Sequence, residues 1–161
     1  MTAWLDPHIH MISRVTDDYQ RMAQCGCVAV SEPAFWAGFD RSSADGFYDY
    51  FCQLTEHEPK RAAKFGLPHF TWLCINPKES EDVKLAEEVV ALIPKFLERP
   101  NVLGIGEIGL NKNSRNEVKV LDMHIDLAAR ALSLAYRHRV LAISRQAQER
   151  DLGIRQIPAQ T

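Results

Sequence analysis

The sequence predicts an α/β fold built on a parallel sheet, and three observations carry that expectation. Four short apolar runs alternate with stretches of helical periodicity. The second to fourth runs are mostly apolar at both alternate positions, which suits strands covered on both faces. No two strand-like runs are adjacent, so each connection reads as a right-handed crossover through a helix. The 161 residues are enough for one domain with a core of its own.

The elements follow in order. Residues 3–9 form the first apolar run. Thr16 is the expected N-cap of a helix over 17–24, where Asp17 and Asp18 complement the helix dipole and Gly26 marks the stop. The second run, 28–30, ends in Ser31-Glu32-Pro33. Phe47, Tyr50, Phe51 and Leu54 recur at i, i+3, i+4 and i+7 and give one apolar helix face. The third run, 69–75, is stopped by Asn76-Pro77. Ser80, Glu81 and Asp82 then lead into a broad apolar stripe over 83–93, with Pro94 as a kink. The fourth run, 102–106, is closed by Glu107-Ile108-Gly109-Leu110. A last helix is expected from about Asn116 into the 130s, its apolar face including Val120, His124 and Leu127.

Bulk properties narrow the function classes. With 46% apolar and 25% charged residues, neither disorder nor a fibrous repeat is indicated. A net charge of −2 with scattered Lys and Arg gives no strong electrostatic signature for nucleic acid. No apolar run approaches the roughly 18 residues a membrane helix needs. The opening Met1-Thr2-Ala3-Trp4-Leu5-Asp6 lacks the features of a secretory signal. The expectation is a soluble, cytoplasmic protein with no membrane partner. Cys25, Cys27, Cys52 and Cys74 match no zinc ribbon, and Cys25-Gly26-Cys27 is one residue short of the redox C-x-x-C, so core thiols are expected.

Two short segments carry chemistry. In Asp6-Pro7-His8-Ile9-His10, histidines two apart on a strand point to the same side, and both can reach one divalent ion. The alternative is a pair of polar residues at a strand exit, hydrogen-bonded to backbone. In Gly104-Ile105-Gly106-Glu107-Ile108-Gly109-Leu110, the glycines let the chain pass a crowded place and Glu107 follows the end of an apolar run. A carboxylate there can ligate a metal, or it can be a solvated loop residue.

Together the two segments resemble the TatD-related metal-dependent hydrolases of the amidohydrolase superfamily, over about residues 4–129. The resemblance implies a partial TIM (β/α) barrel of about four parallel βα units. It also implies one or two divalent metal ions, whether zinc, manganese or magnesium. His8 and His10 would hold the first metal, and Glu107 would ligate or bridge and serve as the catalytic carboxylate. The implied activity is hydrolysis of ester-type bonds, phosphodiesters favoured, in a small-molecule or nucleic-acid-type substrate. Glu32-Pro33-Ala34-Phe35-Trp36 also looks like a subgroup found beside small biosynthetic clusters, with Glu32 at the mouth of the second strand and no role assigned to it. Asn111 stands where many members have Asp.

The family's later ligands, a His after the fifth strand, another after the sixth and an Asp after the eighth, find no match. A full barrel takes about 250 residues. His138 precedes the apolar run 140–143 and so lies at a strand entry, opposite the metal face. Residues 1–130 are therefore expected to be the N-terminal half of such a barrel. Residues 131–161 are expected to be a divergent tail, helical or disordered, left by truncation or frameshift. Lacking ligands and a general base, the chain is expected to have impaired activity. The alternative is a non-catalytic half-barrel that self-associates, as a homo-oligomer covering its open sheet edges, or binds a partner. His57, His69 and His124 read as structural. Phe35 and Trp36 could wall a pocket or pack in the core.

Overall fold

The computed structural model of the chain describes residues 2–131. His138, the run 140–143 and the tail beyond residue 131 lie outside the described residues. Residues up to 128 form one compact unit; of a second, 129–161, only the end of the last helix is described.

Four parallel strands stand side by side in chain order: β1 Trp4–Asp6, β2 Cys27–Pro33, β3 His69–Leu73 and β4 Val102–Ile105. The helices are α1 Thr16–Gln24, α2 Ala44–Cys52, α3 Glu58–Ala63, α4 Val83–Leu92 and α5 Arg115–Ala131. Sequential strands pair and a helix or helix pair fills each connection, as a run of βα units requires.

Register sorts the side chains. Val30 pairs with His69 and Glu32 with Thr71, and all four are buried. Val30 belongs to a core with Met11, Tyr19 of α1, Cys27, Ala62 of α3 and Leu67, so this face of the sheet meets the helices. Ser31 pairs with Phe70 and Pro33 with Trp72 on the other face, where Phe70 and Trp72 are only half-buried. A second layer joins α2 to α4 through Phe47, Phe51, Phe96 and Val89, all at most 1% exposed. Burying each such ring is worth roughly 2–3 kcal/mol.

Several boundaries differ from the sequence expectation. β1 stops at Asp6 instead of running to residue 9, because Pro7 has no amide to donate and the Asp6 carboxylate accepts from the His8 N–H at 3.1 Å, turning the chain. β2 continues through Ser31-Glu32-Pro33, since partners await the polar groups of this segment. Thr16 is not a cap: Val15 holds that position without a side-chain bond, and the Thr16 hydroxyl accepts from Arg61 Nε. Asp82 caps α4 by accepting from Leu85 N–H at 3.0 Å. α2 and α3 form one continuous helical stretch joined by a π-type turn, Gln53–His57. Pro59 lies just beyond it; a wider turn accommodates a residue with no N–H and a bulky ring. Pro94 falls in a 3-10 turn that ends α4.

Candidate metal centre

The first ligand segment leaves the sheet at Asp6 and is held by β2. Ile9 N–H donates to Ser31 O at 3.0 Å and Ile12 N–H to Glu32 Oε1 at 2.8 Å. His8 and His10 thus converge through a turn and not through strand alternation, their rings edge to face with centroids 5.2 Å apart. His10 lies between that contact and Phe35, whose ring stacks on it at 3.9 Å.

The second segment follows β4. Gly104 passes the Trp72 indole so closely that a Cβ there would lie 3.0 Å from a ring carbon, whereas Gly109 has open space around it. The crowding inferred from the glycines therefore belongs to Gly104 and not to Gly109. The Gly106–Glu107 peptide is cis. Glu107 is clamped on three sides: its N–H donates to Ala34 O at 3.4 Å, its carbonyl accepts from Cys74 Sγ at 2.8 Å, and its Oε1 accepts from Asn76 Nδ2 at 2.9 Å. The free Oε2 lies 3.1 Å from His8 Nε2.

One donor atom each from His8, His10 and Glu107 lies within 4.8 Å of the others. Nδ1 of His10 is buried without a hydrogen-bond partner, as a ring nitrogen reserved for a ligand would be. Burial lowers the His10 pKa, against the opposing pull of Glu107 and Glu32, and so favours the neutral, ligating imidazole. Two imidazoles and a carboxylate suit zinc or manganese. Among the described residues no further imidazole or carboxylate joins this group.

The other residues singled out from sequence fall as follows. Glu32 stands at the C-terminal end of β2 but does not line an open mouth. It is fully buried on the helix-facing side, its Oε2 2.8 Å from His69 Nε2, within reach of Glu58. Glu58 in turn accepts from Tyr19 Oη at 3.0 Å and from Arg61 at 2.7 and 2.8 Å. His124 is packed: its Nδ1–H donates to Val120 O at 2.8 Å, and its Nε2 accepts from Ile75 N–H at 3.2 Å. His57 is exposed in the π-type turn. Phe35 and Trp36 are half-buried; Phe35 lines a cavity of about 750 Å³ with Ile12, Phe39, Arg41 and Tyr50, while Trp36 donates to Asp40 at 2.8 Å. Arg41 was not singled out from sequence. It packs 3.8 Å over the Tyr50 ring and bonds Glu79 at 3.0 Å, so its charge is already compensated.

Four parallel strands in chain order alternating with helices are a fold this chain shares with a TatD-like protein. The chain is similar in sequence to a metal-dependent hydrolase and in fold to a TatD-like protein. An uncharacterised metal-dependent hydrolase of Methanocaldococcus jannaschii is 27% identical over 124 residues, 77% of this chain and 48% of that protein. The crystal structure of a TatD-like protein from Archaeoglobus fulgidus superposes with a TM-score of 0.66 at 21% identity, over 91% of this chain and 63% of that one. The chain thus spans about half the length of the curated relative it matches. No family model matches it. Among the described residues no helix is long and apolar enough to cross a membrane.

Proposed function

We propose that residues 1–130 are the N-terminal half of a TatD-type hydrolase barrel and carry the first part of its metal site. In this reading His8 and His10 hold a divalent ion, and Glu107 completes or bridges the site as the catalytic carboxylate. The observation that supports it is the convergence of these three side chains at the C-terminal ends of β1 and β4, the end where barrels of this kind gather functional groups. A bound ion would lower the pKa of its water and polarise the scissile group. The chain's own residues do the rest: Asn76 fixes one Glu107 oxygen and leaves the other toward His8, while Phe35 shields one face of His10. A cavity of small-molecule size is lined by Phe35, whose ring stacks on His10. Phosphodiesters are favoured by family resemblance. With three ligands and no neighbouring general base among the described residues, turnover is expected to be weak.

The test is metal content and hydrolysis of an activated phosphodiester in added manganese or zinc. The expected result is bound ion that disappears in a His8→Ala/His10→Ala double variant, and a slow rate abolished by Glu107→Ala. Unchanged metal content in the double variant, or equal rates with and without Glu107, would remove these residues from the site.

A second reading has its own observation. β1 and β4 are open edges among the described residues, and Phe70 and Trp72 on the face away from the helices are half-exposed. A non-catalytic half-barrel that pairs with a second copy or a partner would cover both.

A further inference from the structure

We infer that Glu32 is a positioning residue for the histidine pair: from β2 its carboxylate fixes the chain immediately after His10. The inference rests on the metal-site reading above and adds to it the part that orients the ligands. The contacts run in one direction. Glu32 is 0% exposed, and its two oxygens go to two different partners. Oε1 accepts from the Ile12 amide at 2.8 Å, two residues beyond His10. Oε2 meets His69 Nε2, on the neighbouring strand, also at 2.8 Å. With Nε2–H donating, His69 Nδ1 bears only a lone pair, which agrees with its lack of a partner.

A carboxylate is a costly choice for a buried position unless both oxygens are used. Packing alone would be served by an apolar side chain, and a single bond to Ile12 by a hydroxyl. The carboxylate joins the ligand turn to the sheet and to β3 at once. Its neighbours along β2 also hold the ligand segments. Ser31 O accepts from Ile9 N–H, Ala34 O accepts from Glu107 N–H, and the Phe35 ring covers His10. Segment 31–35 therefore touches both ligand segments, and Glu32 is its one charged member. Arg61 holds the turn from carbonyls, through Arg14 O at 2.9 Å and Met11 O at 3.5 Å, whereas Glu32 takes the Ile12 amide.

The experiment compares zinc affinity, by competition with a chromophoric chelator, in the full chain and three variants. Glu32→Ala is expected to weaken binding about tenfold or more, the usual effect of losing a group that orients a ligand. Glu32→Gln keeps an acceptor for the Ile12 amide and should stay within about threefold of the unsubstituted chain. Tyr19→Phe removes the bond to Glu58 in the same buried region and leaves the ring's packing and the Ile12–Glu32 bond in place. It should lower Tm and leave zinc affinity unchanged. Exchange of the Ile12 amide in the metal-free chain supplies a readout that needs no ion, faster in Glu32→Ala and protected in Glu32→Gln. Unaltered affinity in Glu32→Ala, or equal weakening in Glu32→Gln and Tyr19→Phe, would overturn the inference alone. A chain that binds no zinc at all would overturn the metal-site reading with it.

Discussion

At Glu107 a side chain and its own backbone are held by different strands' loops, and Cys74 is one of the holders. Its thiol is fully buried, donates to the Glu107 carbonyl and has a pKa pushed well up, first by burial and then by the nearby Glu107 charge. Cys27 is buried as well, whereas Cys25 is exposed and Cys52 intermediate. A thiol reagent at neutral pH should therefore modify Cys25 first and leave Cys27 and Cys74 untouched until the chain unfolds, because the thiolate is the nucleophile. Mass spectrometry after brief labelling reads this directly, and early modification of Cys74 would contradict the packing described around Glu107. The core-thiol expectation thus holds for Cys27 and Cys74 and fails for Cys25, which lies just past the end of α1. The same contrast separates what was legible at the site. The His8-x-His10 spacing and Glu107 could be picked out because their chemistry is local to short segments. The part played by Glu32 could not, since it depends on an amide twenty residues earlier and a ring thirty-seven residues later.

Elements show the same division between local and distant causes. The apolar periodicity of Phe47, Tyr50, Phe51 and Leu54 marked a helix face, and all four are buried. Nothing local announced the π-type turn that follows, and the cap of α1 lies one residue before the expected one. For α5 the sequence placed His124 on the apolar face, and the structure adds what the ring does there. It ties α5 to the end of β3 by accepting from the Ile75 amide, which only an unprotonated Nε2 can do. Burial lowers its pKa, partly offset by the bond to Val120 O. A folded-state pKa below the unfolded value of about 6.5 means that this contribution is complete above that pH. It is then lost as pH falls through the folded value. Thermal melts between neutral and mildly acidic pH should show a loss of stability on acidification that is smaller in His124→Gln, whose amide can replace both bonds. An identical pH slope in the two proteins would place the titrating group elsewhere.

For the whole molecule, strand order follows from connectivity, which is why alternating apolar runs and helical stretches sufficed to anticipate the sheet β1-β2-β3-β4. What alternation along a strand could not supply is how the two faces differ, because runs two to four are apolar throughout. The helix-facing side is closed, with Val30, His69, Thr71 and Leu73 at 3% exposure or less. On the opposite side Leu5, paired with Ala29, is 51% exposed, and Phe70 and Trp72 are half-buried. In a closed barrel of eight strands this side is the packed interior. Among the described residues β1 and β4 are open edges, which add unpaired backbone groups to the same liability. Two copies meeting through these faces would pair both edges and bury the aromatic side chains together. Light scattering on the full chain should then give a dimer mass that falls toward the monomer on dilution. Trp72→Glu, which places a charge in the shared face, should shift the balance to monomer while helix content by circular dichroism stays the same. A monomer at every concentration, binding no dye that reports exposed apolar surface, would mean that this face is covered within the chain itself. The four-stranded sheet would then need no second copy.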